Sequence, residues 1–320
     1  FFSKETALQC FSKPTVHYFI IWHRDFRLTR QSVALLIRLI RSPRDHGWGQ
    51  ELEVLAFLYS LAHGLSLSVV ACAFGMPKST MHRVIQKVAG EIKAKMGQIF
   101  HVVSAGWDKV QCLAGSLALW TDATSGDYLN YKLFYSIQLQ AVCDATGRFL
   151  DIFVGYPGSD YDAKVLRNSP IYTQALYPPS GFCLLADGGY PCLETPIAII
   201  IPYKMPLHGR VQERYNCHHS RAHSVVERAS GVMKARWRAS FFFKALEVSL
   251  AFAPDIVACC AFLNNLCLTT NDRVELEENV IPDGEVLGQQ HPPGGQETSG
   301  RHTRDRMADP IMLIRLTTSN

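Results

Sequence analysis

The stretch Phe182-Cys-Leu-Leu-Ala-Asp187-Gly-Gly-Tyr-Pro191 joins a continuous apolar run to an acidic residue and a Gly-Gly pair. An uninterrupted apolar run of this length is typical of a strand that is buried on both faces. Asp187 is therefore expected at the end of a strand, with a sharp turn directly after it. An ordinary Asp-Gly turn without any function remains the alternative.

The segments around this strand alternate between strand and helix patterns. Residues 115–122 form an apolar run that ends in Asp122, residues 136–144 alternate with period two, and residues 148–154 return after a turn at 144–147. A helix is expected to start at 158–162, another strand at 197–201, and helices at 218–239 and 245–269. This order predicts an α/β domain with a mixed sheet flanked by helices.

Three acidic residues of this domain have the order and spacing of a ribonuclease H-like nuclease core. Asp122 ends the first strand, Asp187 ends a later strand, and Glu227 lies on the following helix. Carboxylates on rigid elements can hold Mg²⁺ or Mn²⁺, which offsets charge on phosphodiester oxygens and lowers the pKa of a bound water. The sequence thus predicts a metal site made of Asp122, Asp187 and Glu227.

Residues 66–92 carry a helix-turn-helix pattern. A short helix ends at Gly75, a tight turn follows, and a second helix begins with Ser and Thr. The exposed side of the second helix would present groups that suit a DNA groove and its phosphates, although a plain helical hairpin would also fit. The predicted DNA-contacting residues of this region are Lys78, Ser79, Thr80, His82, Arg83 and Lys87.

The helix that carries Glu227 is rich in basic residues. Lys234, Arg236 and Arg238 are candidates for holding DNA phosphates beside the metal site, with a solvated helix face as the alternative. His223 lies one helical turn before Glu227, so it is expected to orient that carboxylate or to contact a phosphate.

Composition sets only broad limits. The 320 residues are 48% hydrophobic, with a net charge of +4 that permits a nucleic-acid partner without requiring one. The ten cysteines lack CxxC pairs, which favours buried intracellular thiols, and no secretory signal is visible. We expect residues 1–100 to be helical, residues 106–270 to form the nuclease-like domain, and residues 271–320 to be a disordered tail.

Taken together, the motifs resemble those of PIF/Harbinger-type transposases. The second and third acidic motifs of that family are similar to the segments around Asp187 and Glu227, and 155–162 and 259–267 match further signatures. The resemblance implies a ribonuclease H-like DDE endonuclease domain behind a helix-turn-helix, with Asp187 and Glu227 as ligands of Mg²⁺ or Mn²⁺. It also implies DNA as the substrate, a Myb-like DNA-binding partner protein, and a location in the nucleus, with the cytoplasm as a further option. The longest apolar stretch, 248–268, is interrupted by Pro254 and Asp255, so it is expected to be a core helix and no membrane partner is expected.

The first acidic motif departs from the family pattern. The segment from Trp120 to Asn130 is short and lacks the His that usually follows the acid, so Asp127 and Asp162 are alternatives to Asp122 as the first ligand. Such drift leaves a second hypothesis open, in which the chain is a catalytically inactive, transposase-derived protein that binds DNA or a partner.

Overall fold

The computed structural model describes residues 22–41, 48–100, 111–114, 119–120, 128, 136–175, 178, 182–237, 249, 251–272 and 299–308. Asp122, Asp127 and Arg238 lie outside these residues. The chain divides into two compact units. The helical unit comprises Phe1–His101, Leu119–Ser136 and Gly231–Ile281, and the sheet unit comprises Val102–Ala118, Ile137–Ser230 and Pro282–Asn320.

Among the described residues, helices come first, and a mixture of strands and helices follows. The described helices are α1 (Arg30–Leu39), α2 (Gln50–His63), α3 (Leu67–Phe74), α4 (Lys78–Ala94), α5 (Met96–Ile99), α6 (Asp162–Asn168), α7 (Pro170–Gln174), α8 (Arg210–Arg236), α9 (Ala253–Thr269) and α10 (Arg301–Ala308). The described strands are β1 (Gln111–Ala114), β2 (Leu119–Trp120), β3 (Ser136–Cys143), β4 (Phe149–Pro157), β5 (Leu184–Ala186) and β6 (Ile199–Ile200).

In the helical unit, α3 and α4 are joined by a short turn at Gly75. The Ser66 hydroxyl accepts a hydrogen bond from the backbone N–H of Val69 and starts α3, and Gly75 ends that helix in the left-handed conformation at φ 64°. Helix α4 packs against α2, α3 and α9. Five apolar residues of α3, the turn and α4 are buried: Val70, Phe74, Met76, Met81 and Val84.

The sheet unit contains strands in the order β4-β3-β1-β5-β6. Strands β4, β3 and β1 are antiparallel neighbours, whereas β1, β5 and β6 run parallel. The predicted turn joins β3 to β4, because the Asp144 side chain accepts hydrogen bonds from the backbone N–H groups of Thr146 and Arg148. The mixed α/β fold is confirmed, with Asp187 directly after the central parallel strand β5.

Several boundaries among the described residues differ from the sequence expectation. Strand β1 (Gln111–Ala114) lies before the first strand expected at 115–122, of which Leu119–Trp120 forms β2. Helix α8 begins at Arg210 rather than at 218, and α9 begins at Ala253, where Pro254 occupies a first-turn position that suits proline. Residues 301–308 of the expected disordered tail form α10. The hydrophobic periodicity of this segment is weak. Its contacts are with residues distant in the sequence, since Ala308 is buried and the Tyr203 hydroxyl donates to Asp305 Oδ1 at 2.7 Å.

Within the apolar run at 248–268, which is predicted to be a core helix, α9 is buried from Ile256 to Cys267. Across the residues that the structure describes, no helix combines the length and the apolar character that a membrane crossing requires.

Candidate active site

Asp187 is held in a tight turn at the end of β5. The backbone N–H of Gly189 donates to Asp187 Oδ1 at 2.9 Å, and the N–H of Tyr190 donates to the Asp187 carbonyl at 3.3 Å. Strand β5 lies between β1 and β6, so the carboxylate emerges at the edge of the sheet where parallel strands end. The sequence expectation for the position of Asp187 is therefore confirmed.

Asp162, the first residue of α6, lies beside this turn. A Cβ atom placed on Gly189 would overlap Asp162 Oδ2 and would lie 3.1 Å from Asp187 Oδ1. The two carboxylates thus converge on the same glycine, which leaves them room only because it lacks a side chain. Asp162 was one of the alternatives for the first acidic ligand, and it is the one that the structure places next to Asp187.

The environment of Asp162 strongly disfavours its charged form. The residue is only 6% exposed, and its Oδ1 atom has no hydrogen-bond partner within the described part of the chain. Burial and, second, the charge of Asp187 raise the pKa of Asp162 to about 7. The buried Tyr190 hydroxyl also lacks a partner there, and burial with these two carboxylates raises its pKa.

These features fit a cation. Two carboxylates in close proximity repel each other when both are ionised, and a divalent ion between them offsets that repulsion. An unpartnered, buried carboxylate oxygen is a hard ligand of the kind that Mg²⁺ prefers. The donor set at Gly189 is therefore chemically suited to Mg²⁺ or Mn²⁺.

Asp122 cannot be placed relative to this pair, because it and Asp127 are outside the described residues. The described residues of the neighbouring strand, Gln111–Ala114, carry no acidic side chain, and Leu113 is paired with Ala186 in the register. Within the described residues, Asp162 is thus the carboxylate that accompanies Asp187.

Glu227 lies on α8 and has a different environment. Its side chain is 69% exposed, and His223 Nδ1 lies 3.6 Å from Glu227 Oε1. The adjacent His223 lowers the pKa of Glu227, although partial burial opposes the shift. The predicted contact between these residues is confirmed. In the described residues, however, no three His, Cys, Asp or Glu side chains are grouped closely enough to hold a metal ion, so Glu227 does not join the Asp162–Asp187 pair.

His219 anchors α8 to the sheet, one turn before His223. Its Nε2 atom lies 3.4 Å from the carbonyl oxygen of Ile200, and its ring also interacts with the backbone of Ala186, the residue before Asp187. Burial and the neighbouring His223 lower the pKa of His219 to about 4, so the ring is neutral at physiological pH.

The basic residues predicted at the end of α8 have unequal surroundings. Arg236 is only 3% exposed, and its guanidinium donates to the carbonyl oxygens of Arg27 at 3.1 Å and Asp272 at 2.7 Å. Arg236 would have to leave this network to reach a phosphate. Lys234 is partly buried, and Arg238 is outside the described residues.

The predicted DNA-contacting residues of α4 are mostly at the surface. Lys78, Ser79, His82 and Arg83 are exposed and, with Leu67, line a shallow concave surface. Thr80 is partly buried. Lys87 points to the interior, because its Nζ atom lies 2.6 Å from Oε2 of the buried Glu53.

Comparison with known proteins agrees with the family resemblance of the sequence motifs around Asp187 and Glu227. Residues 118–265 match the family of the DDE superfamily endonucleases. The chain is 25% identical over 272 residues to "Protein ALP1-like" of Arabidopsis thaliana, which covers 75% of this chain and 64% of that protein. It is 25% identical over 265 residues to "Putative nuclease HARBI1" of Mus musculus and 25% identical over 267 residues to that of Homo sapiens, with 75% of each chain covered.

No solved structure matches the chain significantly. The family match covers the sheet strands from β2 onward, Asp162, Asp187 and Glu227, and the distant homology extends over three quarters of the chain. Residues 118–265 are thus similar to the DDE superfamily endonucleases, and the chain shows distant homology to the Harbinger-derived nucleases.

Proposed function

We propose that the chain is a metal-dependent DNA endonuclease of the transposase type, which hydrolyses phosphodiester bonds. The observation that carries this proposal is the convergence of Asp162 and Asp187 on Gly189 at the edge of the sheet. Three antiparallel strands followed by two strands parallel to the first also support a ribonuclease H-like core. Carboxylates at the end of a central strand are well placed for chemistry on a substrate that lies across the sheet edge.

Asp162 and Asp187 would hold Mg²⁺ or Mn²⁺, and Glu227 from α8 would supply a further carboxylate. When bound, such an ion offsets charge on the phosphodiester oxygens and lowers the pKa of an attacking water. The chain itself fixes Asp187 through the Gly189 N–H, orients Glu227 through His223, and holds α8 against β5 and β6 through His219. Asp122 remains a candidate for the first acidic position.

The exposed end of α4 would position the DNA. Together, α3 and α4 have the arrangement expected of a helix-turn-helix, and Lys78, Ser79, His82 and Arg83 share one surface. Thr80 lies in the first turn of the same helix and would add a hydroxyl contact. DNA as the substrate, a Myb-like partner protein and a nuclear location, with the cytoplasm as a further option, belong to this proposal through the family relationship.

A second candidate function is a catalytically inactive DNA-binding or partner-binding protein on the same fold. The exposure of Glu227, together with its separation from the acidic pair, favours this candidate. The two candidates differ in whether Asp187 is needed for DNA cleavage or only for the shape of the turn.

The experiment is cleavage of supercoiled plasmid DNA in Mn²⁺ or Mg²⁺, compared among wild type, Asp187→Asn, Asp162→Asn and Glu227→Gln. Glu213→Gln is the matched control, since Glu213 is an exposed glutamate on the same helix as Glu227. We expect the three site variants to lose at least about 100-fold in rate and the control to keep full activity. Equal cleavage by wild type and Asp187→Asn would exclude the metal site, and no metal-dependent cleavage by any protein would favour the inactive candidate.

A further inference from the structure

Four arginines of α8 form a row on the side of the helix that faces away from the sheet. At 3.6 residues per turn, they fall within about 40° of one another around the helix axis. The buried residues of the same helix follow a second stripe, roughly opposite the first. The members of the arginine row are Arg210, Arg214, Arg221 and Arg228, and the members of the buried stripe are Tyr215, His219, His223, Val226 and Ser230.

The arginine row is exposed and carries positive charge without compensation. All four side chains are exposed, and no hydrogen bond or ion pair of their guanidinium groups is found among the residues that the structure describes. The acidic residues of α8, Glu213 and Glu227, fall outside the row by about 60° or more at this helical repeat. This differs from Arg236, whose guanidinium donates hydrogen bonds to the backbone carbonyls of Arg27 and Asp272.

We propose that the arginine row is a binding surface for the phosphate backbone of duplex DNA. From Arg210 to Arg228 the row rises by about 27 Å along the helix, at 1.5 Å per residue. That is the length of about eight base pairs, at 3.4 Å per pair. Guanidinium groups bind phosphate oxygens through paired hydrogen bonds, and arginine is more weakly hydrated than lysine, so a line of arginines suits a polyanion.

The row differs from the surfaces assigned above. It lies in the sheet unit on the same helix as Glu227, whereas Lys78 and Arg83 belong to the helical unit. Phosphate contacts fix the position of DNA without reading its sequence. The row would therefore hold DNA of any sequence along the helix that carries Glu227.

This inference rests on the proposed function only in taking DNA as the polyanion. The test measures binding of the full chain to a fluorescein-labelled duplex of 30 base pairs and mixed sequence, in EDTA, over a series of NaCl concentrations. The variant is Arg214→Gln/Arg221→Gln/Arg228→Gln. The matched control is Arg38→Gln/Arg41→Gln/Arg301→Gln, which removes three exposed arginines elsewhere.

Each phosphate neutralised contributes about 0.9 to the slope of log affinity against log salt, so the row variant should lose about 2.7 from that slope. Its affinity at 0.1 M NaCl should fall on the order of 100-fold, and the control should bind as wild type. The single variant Arg221→Gln should lower the salt slope of DNA binding by about 0.9, and this measurement keeps the test valid if the triple variant folds poorly. An unchanged slope, or an equal loss in the control, would overturn the proposal.

Binding and cleavage separate the two proposals. If the row variant has a reduced salt slope but the wild-type chain never cleaves DNA, the result supports the arginine row as a DNA-binding surface. The same result counts against the proposed nuclease activity. If the wild type cleaves DNA in Mn²⁺ and the row variant keeps the wild-type salt slope, only the proposal for the arginine row is contradicted. If the row binds an acidic protein surface instead, the substituted chain keeps its DNA affinity, and that result also overturns the proposal.

Discussion

The carboxyl groups of Asp162 and Asp187 converge on one backbone position, Gly189, although Asp162 starts helix α6 and Asp187 follows strand β5. The side chain of Asp187 is fixed by a hydrogen bond from that glycine, while one oxygen of Asp162 has no partner within the described residues. A pair of this kind is unfavourable in a metal-free protein and favourable once a cation lies between its members. This relationship makes the acidic pair testable by stability as well as by activity.

The first prediction concerns Asp162 in the absence of metal. Because its pKa is raised to about 7, the folded protein keeps a proton between about pH 4 and pH 7 that the unfolded chain releases. Stability should therefore fall as pH rises through this window. In EDTA at pH 8, Asp162→Asn should raise the unfolding temperature by about 2–4 °C, and at pH 4 it should have little effect.

Adding Mn²⁺ gives the complementary measurement. The ion should raise the unfolding temperature of the wild type, because a ligand that binds only the folded state stabilises it, but it should not raise that of Asp162→Asn. Asp160→Asn is the control, since Asp160 forms a surface pair with Lys164. A wild type that is equally stable at pH 5 and pH 8 in EDTA would contradict the role assigned to burial of Asp162.

The second prediction concerns Gly189→Ala. The added Cβ would overlap Asp162 Oδ2 and crowd Asp187 Oδ1, so the two carboxylates would have to separate. We expect this variant to lose the stabilisation by Mn²⁺, measured by thermal unfolding or by calorimetric titration. Gly231→Ala is the matched control, because its Cβ would meet no atom within 4 Å, and it should keep the response to metal. It should also gain about 0.5–1 kcal/mol, as expected for alanine in a helix.

Local sequence patterns account for part of this site and of the fold. The apolar run before Asp187 predicted the strand end, and four-residue spacing predicted the contact between His223 and Glu227, because both depend on neighbouring residues. The approach of Asp162 to Asp187 depends on how α6 packs beside β5, which no local pattern contains. Arg236 illustrates the same limit, since a basic helix does not reveal which of its arginines is covered by residues distant in the chain.

The third prediction concerns Asp272 in the helical unit. Its carboxylate accepts hydrogen bonds from the Thr29 N–H at 2.7 Å and the Ser32 hydroxyl at 2.6 Å, and Arg236 Nη1 lies 3.8 Å away. Burial alone would raise the pKa of Asp272, but the hydrogen-bond donors, His23 and Arg236 outweigh it and hold the pKa well below its usual range. The stabilisation is therefore complete above about pH 4, the pKa in the unfolded chain, and is lost as pH falls below it.

We expect Asp272→Ala to lower the free energy of unfolding at pH 7 by about 3–5 kcal/mol, because it leaves the buried Arg236 without its charge partner. The difference from wild type should shrink as pH falls below about 4. Urea unfolding at pH 7 and at several acidic pH values would measure both effects. Asp144→Ala is the comparison variant, since Asp144 lies in the turn between β3 and β4, away from Arg236. A constant difference between Asp272→Ala and wild type from pH 7 to pH 3 would argue against the assigned cause.

The fourth prediction separates two cationic residues of α4 that the sequence treated alike. Lys87 pairs with the buried Glu53 at 2.6 Å, whereas Arg83 is exposed beside Lys78 and His82. Lys87→Ala leaves a buried carboxylate without its partner, so it should lower the free energy of unfolding by about 1–3 kcal/mol. Arg83→Ala should leave stability within about 0.5 kcal/mol of wild type but reduce the salt slope of DNA binding by about 0.9.

Urea unfolding and fluorescence anisotropy would measure the two quantities on the same variants. If Lys87→Ala weakened DNA binding as much as Arg83→Ala without a loss of stability, Lys87 would belong to the DNA-binding surface and not to the interior of the helical unit.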